Sequence, residues 1–438
     1  MLLIDHPSFE GKFQLPDIEK PPYPVIAFIN GALINGLDDH PVDKAVVIVE
    51  NGCIKTTGKI SDVNIPDNAS VFDIAGKTIM PGLIDNHVHV GNIAVSMDET
   101  NRLTPAVYVH KATQNLEIDL LLGFTTLRDA GGLDISFKEA IDQGLIRGPR
   151  LFLSVNPLTP TGGHFDERSP FENSPKPRNS IGIYPEICDG PEQVRRSARQ
   201  ALRRGADQVK VAASGGVSSP SDEPDQWQFN YEELRAAVET AQAAGTYVMA
   251  HAYDPNSIQN CIKAGVKTIE HGNLLNEETA ELMAKAGTYY IPTMAVYNVM
   301  KNEGINTIDK ATARKLEIVH EKSFDALTYA LKAGVKIGSG SDIIGPFQHL
   351  KGREFSLKGR VMSPMDTIKC ATSTNAEILG MSDRIGSLTP GKEADLIVVD
   401  GNPLEDLTLF EDGIKTIVIV MKQGCIYKNI LGTPSKTE

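Results

Sequence analysis

GLIDNHVHV, residues 82–90, is a short apolar strand that ends in an H-x-H pair. Side chains alternate along a strand, so His87 and His89 share one face, where two imidazoles suit a divalent metal. Alone, the pair is weak evidence, since H-x-H also occurs by chance. Its weight comes from the seven similar stretches that follow it: 123–131, 150–155, 208–214, 247–253, 267–273, 289–296 and 335–342. Amphipathic stretches such as GPEQVRRSARQALRRGA and NYEELRAAVETAQAAG lie between them, with apolar residues three to four apart and Gly near the end. Eight strands alternating with helices predict an α/β chain of the (β/α)8 TIM-barrel type.

The flanks have a different texture. PVIAFINGALING, AVVIVENGCIKTTG and SVFDIAGKTIMPG near one end, and GSLTPGKEADLIVVDG and IKTIVIVMKQGCIYKN near the other, are apolar runs broken by Asn-Gly and Gly. These are strand and tight-turn signals. They predict a small β-sandwich assembled from residues 1–81 and 381–438, with a barrel over 82–380 inserted between its halves.

Composition narrows the function. A formal net charge of −13 with no basic stripe argues against a nucleic-acid partner. No run of 18 apolar residues is present, which predicts no membrane span. The opening MLLIDHPSFEGKF has no basic n-region and does not read as a signal peptide. Cys53, Cys188, Cys261, Cys370 and Cys425 are odd in number and widely spaced, as expected of reduced thiols in a cytoplasmic protein.

The polar residues of the eight stretches are the candidate site. His87, His89, Lys210, His251, His271 and Asp342 each lie in or at the C-terminal end of a strand, and barrel geometry brings those ends to one face. Each also has a plainer reading. Lys210 could snorkel to solvent, His251 and His271 could be hydrogen-bonded core residues, and Asp342 could cap a helix. In the sharper reading, desolvation makes Lys210 nucleophilic enough to capture CO2 as a carbamate that bridges two metals.

HVH after PGLID, Lys210 in KVAASGGVSS, His251 in AHA, His271 in EHG and Asp342 in GSGSD together resemble the amidohydrolase superfamily. The flanks NGALI…IMPGLIDNHVH and GSLTPGKEADLIVVDGNP resemble that superfamily's composite sandwich, so the likeness spans essentially the whole chain. It implies two divalent ions, Zn2+ above all. His87, His89 and Asp342 would hold the buried ion, His251 and His271 the outer one, and carbamylated Lys210 would bridge them. PTGGH, HAY and IEHG narrow the resemblance to the branch of Xaa-Pro dipeptidase-like proteins, Zn-dependent carboxypeptidases and ochratoxin amidohydrolases. These cut an amide bond beside a free carboxylate. The HAY form, with Tyr253 where the ochratoxin amidases tend to have His, is closer to the carboxypeptidase type.

The resemblance implies attack by a metal-bridging hydroxide, with Asp342 accepting its proton and delivering it to the leaving amine. Tyr253 is a candidate donor to the developing oxyanion, or else a rim packing residue. His164 is a candidate substrate contact, or else a surface-loop histidine. The 214–219 loop, with Gly215, Gly216, Val217 and Ser218, is a candidate anion nest for the substrate carboxylate, or else an ordinary flexible βα loop. Met294 and Trp227 are candidates for an apolar pocket wall, although such side chains are more often plain packing. The competing functions are a cyclic-amide or other C–N hydrolase resembling imidazolonepropionase, and a non-catalytic homologue using the barrel as a surface. The expected partner is a small-molecule amide; the family resemblance also allows a homo-oligomer.

Overall fold

The computed structural model describes residues 3–4, 13–14, 23–96, 99–100, 102–166, 168, 171–172, 182, 184–219, 222–304 and 308–436. The stretch read for a signal peptide falls largely outside them.

The middle of the chain is α/β. Strands Leu83–Val88, Phe124–Asp129 and Arg150–Leu153 pair in parallel, with Val88 opposite Asp129 and Asp129 opposite Leu153. A second parallel run joins Val209–Ala212, Val248–Ala252, Thr268–His271 and Tyr289–Ile291 in order. The amide of Asp207 donates to the Leu153 carbonyl at 2.7 Å, which links the two runs. Every residue of Val209–Ala212, Val248–Ala252 and Thr268–His271 is buried, as expected of parallel strands covered on both sides. The intervening helices are capped by their own sequence. Asn230 and Glu233 form a reciprocal capping box on Tyr231–Ala243. Asp254 accepts from the amides of Asn256 and Ser257 at the head of Pro255–Ala264.

Three of the expected strands depart from their reading. The third stops at Leu153, turns through Val155 at φ 60°, and resumes as Leu158–Thr159 beside Val211. The seventh stops at Ile291 because Pro292 offers no N–H, and Thr293 turns left-handed at φ 47° to start helix Met294–Asn302. The eighth forms no strand, only an isolated bridge between Ile337 and Tyr290. Its backbone still bonds on both sides: Gly338 N to Tyr290 O at 2.8 Å, and Asp342 N to His87 O at 2.8 Å. The Gly and Ser residues there are a fit to tight quarters. A Cβ on Gly340 would stand 2.6 Å from that of His87.

The two ends of the chain meet in one nine-stranded mixed sheet. Thr78–Pro81 pairs antiparallel with Leu396–Val399 on one side and parallel with Val25–Leu33 on the other. Val25–Leu33 continues through Val42–Glu50 to Cys53–Lys59, and Leu396–Val399 through Ile417–Lys422 to Cys425–Asn429. The Asn51-Gly52 turn has φ of 52° and 79°, the double left-handed geometry of a tight hairpin. No helix among the described residues is long and apolar enough to cross a membrane, and no disulfide joins the cysteines.

Candidate active site

His87 and His89 lie at the end of Leu83–Val88, and their Nε2 atoms both stand 3.7 Å from Oδ1 of Asp342. The i, i+2 spacing therefore delivers both rings to one face. His271 and Asp342 reach the same point by another route. Each has a positive φ, 74° and 54°, which turns the side chain inward where a regular strand would carry it past. His87, His271 and Asp342 offer donor atoms within 4.8 Å of one another, a group that could hold a metal ion. Nζ of Lys210 stands 3.3 Å from His87 Nε2. The His251 ring lies 4.5 Å from that of His271.

One nitrogen of each imidazole is tied to an oxygen. His87 Nδ1 meets Glu270 Oε2 at 2.7 Å, and His89 Nδ1 meets the Gly131 carbonyl at 2.8 Å. His251 Nε2 meets the Gly215 carbonyl at 3.0 Å, and His271 Nδ1 meets Thr293 Oγ1 at 2.8 Å. This fixes the ring orientations and leaves the second nitrogen of each for a ligand, the arrangement found behind metal-bound histidines. The rings are kept neutral as ligation requires. Burial drives the His87, His251 and His271 pKa values well below the usual range. Burial, then the charge of Lys210, pulls His89 down to about 3. Burial lowers Lys210 to about 8, raising its share of free amine, and raises Asp342 to about 7 against the pull of Lys210.

Above these residues opens a cavity of about 750 Å³. Lys210, His251, His271 and Asp342 form part of its lining, together with His89, His164, Tyr253, Val217 and Ser218; His87 lies beneath, fully buried. His164 stacks on His251 at 4.1 Å. Tyr253 stacks on His271 at 5.2 Å, and its hydroxyl meets that of Tyr297 at 2.7 Å.

The nest and the apolar wall differ from their sequence reading. Gly215 N donates to the Gln226 carbonyl and Gly216 N to Asp222 Oδ1, so those two amides are engaged within the chain. Gly216 is required for space, since a Cβ there would lie 2.3 Å from the His164 ring. Met294 is a core residue and Trp227 is 54% exposed; neither lines the cavity. The left-handed Thr293 sets the phase of the next helix so that Val296, Tyr297 and Met300 face the cavity instead.

Glu270 and Arg128 were not singled out from the sequence. Glu270 joins His87 to Arg128, whose Nη2 lies 2.8 Å from Oε1, and all three side chains are fully buried. The available signal was an arginine and a glutamate inside otherwise apolar strands. A buried charge must be paired to persist there.

The amidohydrolase family model matches residues 78–431. Ochratoxinase of Aspergillus niger is 32% identical over 417 residues, covering 91% of this chain and 85% of that protein. Among solved structures, an amidohydrolase superimposes with a TM-score of 0.89 at 39% identity, covering 93% of this chain and all of the other. A prolidase complexed with N-methylphosphonate-L-proline gives 0.88 at 34% identity, with 92% and 100% covered. The match extends from the first β-rich flank across the histidine cluster to the last, and the chain belongs to the amidohydrolase family.

Proposed function

We propose that this chain is a hydrolase that cuts an amide bond adjacent to a free carboxylate, in an N-acyl amino acid or a dipeptide, using two divalent cations. The observation that carries this reading is the donor set: four buried neutral imidazoles, each oriented by an oxygen, gathered with Lys210 and Asp342 at the floor of one cavity. His87, His89 and Asp342 would hold one cation and His251 and His271 the other, with Lys210 as a carbamate between them. The lowered Lys210 pKa favours that reaction with CO2. Zn2+ suits a set rich in imidazole. Bound there, the cations would acidify water and polarise the scissile carbonyl. Likeness to an ochratoxinase and a prolidase supports a substrate with a carboxylate beside the amide.

The chain's own groups divide the remaining work. Asp342, 16% exposed and lining the cavity beside His89 and His271, is suited to take a proton and return it to the leaving nitrogen. The Tyr253 hydroxyl, paired with Tyr297, is placed to donate to the carbonyl oxygen. His164, Val217 and Ser218 line the same cavity and would contact the carboxylate.

The frame we propose is a closed (β/α)8 barrel over 82–380, with a β-sandwich formed by 1–81 and 381–438. The backbone bonds from 336–342 to both Tyr290 and His87 support closure. A hydrolysis screen of N-acyl amino acids and dipeptides, with ochratoxin A included, tests the substrate class. Turnover of a lactam or a ring amine with every carboxylate-bearing amide inert would overturn it.

A further inference from the structure

We propose that Lys315 is a positioning residue that gives the cavity its affinity for the substrate carboxylate, acting through the peptide units of the 214–219 loop. This rests on the reading above that the substrate carries a carboxylate beside the scissile amide. Lys315 belongs to helix Lys310–Ala333, whose Thr312 and Leu316 line the cavity. Its own side chain takes a different direction, behind the loop, and is only 3% exposed. Nζ donates to the carbonyl of Ser219 at 2.7 Å, to that of Gly216 at 3.4 Å, and to that of Asp222. Among the described residues no carboxylate forms an ion pair with it. The buried Asp222 carboxylate takes the Gly216 amide and Gln228 instead, so the ammonium held by carbonyl dipoles sets a positive field against that of Asp222 on the cavity side of the loop, where both act on His164.

The trans peptide unit supplies the direction. Its C=O and N–H point opposite ways, so a Gly216 carbonyl aimed at Lys315 aims the Val217 N–H away from it. Val217 and Ser218 are the loop residues that face the cavity. The amides of Gly215 and Gly216 are already engaged, which leaves the Val217 amide as the oriented donor. Among the described residues the lining holds Glu99, Asp309 and Asp342, no arginine, and no lysine except Lys210 at the metal-binding floor. Lys315 therefore acts as a cation one peptide layer behind the seat, while Val217 N–H makes the contact.

The test compares an N-acyl amino acid amide substrate ending in a free carboxylate with its carboxamide analogue, in the metal-loaded full-length enzyme. In Lys315→Met and Lys315→Gln, the preference for the carboxylate should fall about tenfold or more, through KM, as expected when a charged partner is lost. The loss should be larger for the acid than for the carboxamide, so that the ratio of their kcat/KM values moves, and Lys315→Arg should recover part of that ratio. Folded variants that keep the full wild-type preference would overturn the proposal. An unmodified enzyme with no preference would instead bring down the carboxylate reading on which it stands. Should the substitutions prevent folding, the unmodified holoenzyme labelled with 15N-valine serves. The Val217 amide proton should move downfield with N-acetyl-D-leucine and not with its carboxamide; no movement with the acid overturns the proposal.

Discussion

The carboxylate of Glu270 stands 2.7 Å from Nδ1 of His87, and neither side chain has any exposure to solvent. The opposite oxygen of the same carboxylate takes the Arg128 guanidinium at 2.8 Å. Glu270 thus fixes which nitrogen of His87 carries the proton and which is left for a ligand. Partners of this kind are worth roughly 10–100-fold in metal affinity. Glu270→Gln should show that loss in metal retained after dialysis against a graded chelator. It should also lower the melting temperature, because the buried charge of Arg128 loses its counter-charge at a cost of about 3–5 kcal/mol. Wild-type metal content in Glu270→Gln would show that His87 does not depend on this bond.

Lys210 and Asp342 should separate under substitution. Lys210→Ala removes the group proposed to lie between the cations, so metal content and activity should fall together. Asp342→Asn keeps an oxygen donor but loses the proton acceptor; it should retain most metal and lose about 100-fold or more in kcat, the scale of general acid–base assistance. Elemental analysis beside steady-state kinetics on the same preparations decides the matter. Near-native turnover in Asp342→Asn would remove its proton-transfer role.

Most of this centre could be read from the sequence because it obeys simple periodicities. H-x-H works through the two-residue repeat of a strand, and the lysine and histidines through the convergence of parallel strand ends. Positions that escape are those where the backbone breaks its own period. His271 follows Glu270 directly, so alternation would send them to opposite sides. A φ of 74° at His271 lets both serve the cluster. Thr293, at 47°, both bonds His271 and re-phases the following helix, which is why Tyr297 and Met300 rather than Met294 face the cavity. Strands were recognised as apolar runs, but the eighth is built from glycine and serine wedged between Ile291 and His87, and it bonds like a strand without the regular geometry of one.

The Tyr253 and Tyr297 hydroxyls share one hydrogen bond, and both rings are buried. Tyr253→Phe should lower kcat by about 100- to 1000-fold, the loss of about 2.7–4 kcal/mol typical of a missing oxyanion donor. Tyr297→Phe should have a smaller effect, since it removes only the group that orients Tyr253. Equal, small effects in both variants would mark the pair as packing.

Glu354 gives a pH signature of its own. It accepts from the Ala295 amide at 2.8 Å and lies 3.6 Å from Lys358, yet burial raises its pKa to about 7. A carboxyl raised on folding binds more protons in the folded state. Its contribution is therefore complete below the unfolded value of about 4.3 and is lost as pH climbs toward 7, by roughly 3–4 kcal/mol. Glu354→Gln keeps an acceptor for Ala295 and carries no charge, so its melting temperature should decline less between pH 4.5 and pH 7.5 than that of wild type. Parallel curves for the two proteins would refute the shift.

Thr78–Pro81 is paired along one edge with Leu396–Val399, more than 300 residues downstream. During synthesis that edge waits without its partner while the whole catalytic unit emerges, and an unpaired edge is where strands of neighbouring chains add on. The catalytic unit is thus held in a clasp whose second jaw arrives last. Closing it has a large contact order, which slows folding. A ribosome stalled before residue 396 would carry nascent chains with this edge open, prone to associate with one another, whereas release of the finished chain shuts the clasp and removes the hazard.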